Sequence, residues 1–327
     1  MYFPNAIEDI CYENNHIVNI EKELQKGFSK YYKKFIESEN GNSINQEKFN
    51  ELSSKFNIKN SSNKKKHEEV NLKILKRIIN EEIEKYEKDR DKYLEFLELE
   101  YLEEYEDDAS DFKNVVLKNE CPIIRHTIQN KKAKELDKYR YDFTVSNPNN
   151  LLEVVTNIVT FAENYKNEKF SNKDFYNIKS VDDLELGILF GNEDYLAKGV
   201  IGAGIRSHFL YKLYPYIFPN RSRDAIWALW YLTDKKNFGC IEDSEFLMIK
   251  VKDSITQQNF FYPYDLFTYY SIKILQFIKN EFLKYNLTIP IEYGFVIVDS
   301  FLSFVANEHY DEINYLSRKE LNYDSYG

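Results

Sequence analysis

Cysteine is scarce. Cys11, Cys121 and Cys240 are the three in 327 residues, odd in number and far apart, and no C-x-x-C or Cys/His spacing marks a zinc site. This excludes a disulfide framework, assigns no metal, and predicts a reduced, cytoplasmic protein. A signal-peptide core is missing from the first thirty residues. So is any long uncharged apolar run: the most apolar late stretch, Pro290 to Ala306, contains Glu292 and Asp299, which argues against a membrane span. The five histidines, His16, His67, His126, His208 and His309, have no partner at metal spacing. H-E-x-x-H, G-x-S-x-G and Walker motifs are all absent, so neither a reaction nor a cofactor is assigned.

Glycine is also scarce, and its placement is informative. Of ten glycines, none lies between Gly41 and Gly187, and five fall between Gly187 and Gly204. Gly199, Gly202 and Gly204 immediately precede an amphipathic run, which predicts a tight turn and then a helix from about Ile205 to Tyr216. On the helical wheel Ile205, Phe209, Leu210, Leu213 and Tyr214 share one face, with Arg206 among them. Ser207, His208, Tyr211 and Lys212 share the other face. Pro215 and Pro219 close the helix. A second helix, nearly all apolar from Ala225 to Leu232, opens after Asn220-Arg221-Ser222-Arg223, with Asn220 or Ser222 as its cap.

Both helices thus begin with arginine, at the end where the helix dipole is already positive. Backbone N–H groups and guanidinium groups together suit a phosphate. The turn resembles a helix-hairpin-helix element over Val200 to Leu213, on the strength of Gly202 and Gly204, although Ile205 and Arg206 follow where that family carries a further small or basic residue. In DNA-repair proteins the element holds a backbone phosphate, so the resemblance implies nucleic-acid contact. The candidate phosphate-binding set is Gly202, Gly204, Arg206, His208, Lys212, Arg221 and Arg223. A plainer alternative is that the glycines permit close helix packing. On that view the arginines pair with Asp224, Glu242, Asp243 and Glu245, or with Asp182, Asp183 and Glu185.

With 43% hydrophobic and 16% aromatic residues the chain can bury a sizeable core. Its taste for Lys, Asn, Ile, Tyr and Phe fits an AT-rich bacterial genome. The net charge of −10 is concentrated: 15 acidic and 4 basic residues lie between Glu81 and Asp111. An acidic total therefore leaves room for a nucleic-acid partner elsewhere. Residues 1 to 56 read as short helices, and residues 57 to 66 as a polar connector ending in Lys64-Lys65-Lys66. Residues 67 to about 106 carry a helical stripe from Leu72 to Tyr101. A basic segment, Lys118, Arg125, His126, Lys131, Lys132, Lys134, Lys138 and Arg140, follows. Asn147-Pro148 starts another helix. Glu245–Val251 and Ile255–Tyr262 are β-prone around Lys252-Asp253-Ser254, which predicts a small hairpin. Long helices follow Pro263 and Pro290.

The expectation is a mainly α fold: an N-terminal helical region (1–112) with an extended acidic arm, and a multi-helical globular domain (113–327) with a small β-hairpin. Function is expected to be nucleic-acid (DNA or RNA) backbone binding in a bacterial DNA-processing or defence setting, without a membrane. The alternatives are a scaffold that binds a protein partner through the acidic arm, and a metal-dependent nuclease using Glu242, Asp243, Glu245 and Lys250.

Overall fold

The structure, a computed structural model, describes residues 9–40, 60–131, 136–170, 175–189, 192–240, 247–251, 255–259 and 262–323. The fold is mainly α. Its longer helices are α1 (Asn14–Asn40), α2 (Asn60–Leu94), α3 (Pro122–Gln129), α4 (Asp137–Val145), α5 (Pro148–Glu168), α6 (Ala203–Leu213), α7 (Arg223–Leu232), α8 (Tyr264–Leu283), α9 (Gly294–Asn307) and α10 (Tyr310–Tyr323). Strands β1 (Met248–Val251) and β2 (Ile255–Gln258) pair antiparallel, with Met248 opposite Gln258 and Val251 opposite Ile255. The residues expected to turn between them, Lys252-Asp253-Ser254, lie outside the described residues, as do Asn45–Phe56, Lys132, Lys134, Glu242, Asp243 and Glu245. No helix among the described residues is long and apolar enough to cross a membrane.

The core is one continuous apolar cluster. Helix α7 lies at its centre, packed on α9 and on α1, and α8 packs on α1 and α9. The apolar run of α7 reads directly as this position: Ala225, Ile226, Trp227, Ala228, Leu229 and Leu232 are all buried. Its crossing with α1 is tight enough to require glycine. A Cβ on Gly27 would run into the backbone of Leu232.

Two expectations change. The polar connector is shorter than its composition suggests, because α2 already starts at Asn60 and takes in Lys64, Lys65 and Lys66. Long, straight-chain polar residues are good helix formers when a longer helix propagates through them. Helix α2 also lies along the core instead of projecting from it. Its stripe of Ile74, Leu75, Ile78, Ile79, Tyr86 and Tyr93 is buried, against α9, α1 and α6. Its acids pair locally and with α6: Glu81 with Arg77, Glu82 with Lys85, Glu87 with Arg90, and Asp89 with both Lys92 and Lys212.

Candidate functional site

Helix α6 begins where the glycine turn was expected, two residues earlier than the sequence reading placed it, and ends at Leu213. Upstream stands a three-residue turn, Glu193–Tyr195, and an isolated bridge between Ala197 and Ile201. The first helix of a helix-hairpin-helix is therefore not found at this place. The glycines differ in role. Gly199 has φ +79° and would press a Cβ into Asp142. Gly202 is the N-cap residue in extended conformation, with nothing within 4 Å of where its Cβ would lie. Gly204 faces only the Arg221 carbonyl, at 3.9 Å. Close approach to a helix, α4 through Asp142, thus accounts for Gly199 together with its positive φ, but not for Gly202 or Gly204.

The two ends of α6 are treated differently. At its carboxyl end α2 supplies donors to the last carbonyls: Tyr86 Oη to Tyr211 O at 2.7 Å, Arg90 Nε to Lys212 O at 2.8 Å and an Arg90 terminal nitrogen to Leu213 O at 3.0 Å. A cation there also complements the dipole. The N-cap Gly202 offers no side-chain acceptor to the amino end. Helix α7, by contrast, is capped by Ser222, whose Oγ accepts from Ala225 N at 3.1 Å.

Helix α6 divides the expected set into two groups. His208 and Lys212, four residues apart and so on one face, join a polar network beneath α2 and α9. The Lys212 ammonium lies 2.7 Å from Asp89 and above three tyrosine rings, at 4.6 Å from the centroid of Tyr86, 5.4 Å from Tyr93 and 5.5 Å from Tyr211. A directed chain of hydrogen bonds runs beside it. Asn220 Nδ2 donates to Asp299 Oδ1 at 3.2 Å, which turns the acceptor Oδ1 of Asn220 to His208 Nδ1, at a long 3.4 Å, so Nδ1 carries the proton. His208 Nε2 then accepts from Tyr93 Oη at 3.1 Å, and that hydroxyl oxygen accepts from Ile123 N–H at 3.1 Å. Burial pushes the Asp299 carboxyl up to about 7, against the Asn220 hydrogen bond and the Lys212 charge. Burial, reinforced by Lys212, pushes His208 down to about 4, so the imidazole is neutral at physiological pH.

On the other side, Arg206 and Arg221 are buried, 6% and 2% exposed. Arg221 is built into the packing: its N–H donates to Ser207 Oγ at 3.1 Å, and its guanidinium donates to Asn259 O at 3.0 Å. Arg206 differs. Among the described residues its guanidinium makes no hydrogen bond and no ion pair, and the charged group near it is Arg221. Burial lowers Arg206 to about 10, opposed by Tyr264; burial and then the Arg206 charge lower Arg221 to about 9. Both stay cationic at neutral pH. Tyr264, whose hydroxyl donates to Pro219 O at 2.8 Å, sits within the electrostatic reach of both.

Arg223 belongs to neither group. It is exposed, and its guanidinium donates to Ser317 Oγ at 2.5 Å. Of the carboxylates offered as partners for the arginines, Asp183 accepts from Ser180 N and Glu185 pairs with Lys169. Asp299, Asn220, Asp89 and Tyr93 were missed as site residues. The one available signal was an acid inside the apolar run Pro290–Ala306.

No family model, no curated protein and no solved structure matches the chain.

Proposed function

We propose that the chain binds a phosphate-bearing ligand at the amino end of α6, with Arg206 as the principal cation and Arg221 beside it. The observation that carries this is Arg206: a residue only 6% exposed, next to buried Arg221 and, among the described residues, without an acid or hydrogen-bond acceptor for its guanidinium. The guanidinium nitrogens of Arg206 still reach solvent, so the charge is largely but not wholly desolvated and open to an incoming anion. An anion compensates that charge and adds charge-assisted hydrogen bonds. Two further features support the reading. Gly202 leaves the first N–H groups of α6 without a side-chain cap, and the space over its Cα is open.

The depth of both arginines favours a phosphate that protrudes, such as the terminal phosphate of a nucleic-acid strand or a mononucleotide, over the flush backbone of a continuous duplex. Exposed Arg223 is then a peripheral contact for the rest of a strand. The test is equilibrium binding of 5′-phosphorylated and 5′-hydroxyl oligonucleotides, DNA and RNA, at low and high salt. The expected result is a preference for the phosphorylated end that falls tenfold or more in Arg206→Gln. Gly202→Asp brings its own carboxylate to the helix start and competes with the ligand. It is expected to weaken binding while leaving the fold as stable or slightly more so. Equal binding of phosphorylated and hydroxyl ends, unchanged by Arg206→Gln, would overturn the proposal.

A further inference from the structure

Cys11, His16 and Cys240 come together across 229 residues of sequence. Cys11 sits in the 3-10 turn Asp9–Tyr12, His16 in the first turn of α1, and Cys240 at the end of the turn that follows α7. All three are buried, and one ligand atom from each lies within 4.8 Å of the other two.

The sulfur separation excludes a disulfide and fits either an S–H···S hydrogen bond between the free thiols or two thiolates on one metal ion. The sulfurs are 3.8 Å apart. A disulfide needs about 2.0 Å. Two thiolates bonded to one tetrahedral zinc at about 2.3 Å each stand about 3.8 Å apart. The histidine is oriented in the manner of a metal ligand. His16 Nδ1 lies 3.1 Å from the carbonyl of Phe238, to which it donates its proton, so the lone pair resides on Nε2. The turn that supplies both that carbonyl and Cys240 is held in an uncommon backbone form. Asp234, Lys235 and Phe238 have φ of 55°, 59° and 54°, and Gly239 has 89°. Left-handed conformation is unfavourable for non-glycine residues, and for an aromatic one especially, so it persists where the surroundings fix it.

We propose that Cys11, His16 and Cys240 are ligands of a structural zinc ion that fastens the start of the chain to the loop after α7. Two thiolates and an imidazole are the donor set of a borderline-soft divalent ion, not of calcium or magnesium. On binding, each thiol releases its proton to solvent and each sulfur donates an electron pair to the ion. The two thiolate charges balance Zn2+, so the buried site is neutral. The three protein donors leave the fourth tetrahedral position to a water molecule, and the depth of the set, with Cys11 0%, His16 4% and Cys240 8% exposed, assigns the ion to holding the fold together.

The experiment uses the full chain, purified with reductant, stripped with chelator and titrated with Co2+ and then Zn2+. The expected result is one equivalent of Co2+ per chain, with a thiolate-to-cobalt charge-transfer band in the near ultraviolet and visible bands of tetrahedral intensity, displaced by Zn2+. Cys11→Ser and Cys240→Ser lose the band, His16→Gln weakens Co2+ binding tenfold or more, and Cys121→Ser keeps it. A second measurement needs no substitution: in the wild-type chain, Zn2+ should protect two of three thiols from a thiol reagent, and chelator should restore their reactivity. A wild-type chain with no charge-transfer band, thiol reactivity indifferent to Zn2+, or a Cys11–Cys240 disulfide in the reduced preparation would each overturn the proposal.

Discussion

Asp299 and His208 are wired to the same asparagine, and burial shifts them in opposite senses, so each carries a distinct pH signature. Asp299 ionises near 7 in the folded chain and near about 3.9 when unfolded. The unfolded chain therefore loses the proton first, and stability falls as pH rises from about 4 through 7. Asp299→Asn keeps an oxygen for Asn220 and removes that loss. It is expected to stabilise the protein by about 1–3 kcal/mol at pH 8 and by almost nothing at pH 4, read from denaturant midpoints across pH. His208 behaves conversely. It takes a proton only near 4 when folded and near about 6.5 when unfolded, so stability is lost as pH falls through that window. His208→Gln should abolish the acid-side loss while costing about 1 kcal/mol at neutral pH for the Tyr93 hydrogen bond. Lys212 acts on both groups, whereas Asp89 acts on His208, and Glu82 and Asp224 act on Asp299. At this scale the sequence was half legible. The wheel placed His208 and Lys212 together and set Arg206 among apolar positions, because those relations are local. Asp89, Asn220 and Asp299 join through three different elements, and no periodicity within one helix reports that.

Helix α6 shows what an element can reveal. Its carboxyl end is served by Tyr86 and Arg90 of α2, and its amino end by no side-chain cap. Removing the served end has a calculable cost: Arg90→Ala leaves two carbonyls without their charged donor and is expected to destabilise the fold by about 1–3 kcal/mol in urea unfolding. The α1–α7 crossing gives a second case. Gly27→Ala improves helix propensity by about 0.5–1 kcal/mol, but its Cβ meets the Leu232 backbone, which cannot rotate away. Overpacking of about 1–3 kcal/mol wins, and the variant should melt several degrees lower. The starts of α5 and α8 were legible from their prolines, and the cap of α7 from Ser222, whereas Pro290 opens a 3-10 turn, Ile291–Tyr293, and α9 begins only at Gly294. The start of α2 was not, since charge and asparagine dominate residues 57–66 and only propagation from the apolar stripe makes residues 60–66 helical.

For the whole molecule, the concentrated negative charge of α2 and the chain beyond it looked like an arm because charge and amphipathicity are both visible in sequence. Direction is not. Whether the stripe of Ile74, Leu75, Ile78 and Ile79 meets solvent, a partner or the chain's own α9 depends on contacts hundreds of residues apart. The same limit hid Cys11 and Cys240 from one another. The mainly α class, by contrast, followed from helical periodicity repeated along most of the chain. The central claim, that an anion completes the charge balance at Arg206, has a direct test. Inorganic phosphate should raise the melting temperature of the wild-type chain, because a ligand bound only by the folded state stabilises it in proportion to the logarithm of its concentration. Arg206→Gln should melt higher than wild type without phosphate and be indifferent to it. A wild-type chain indifferent to phosphate, or an Arg206→Gln chain that responds as wild type does, would contradict the account.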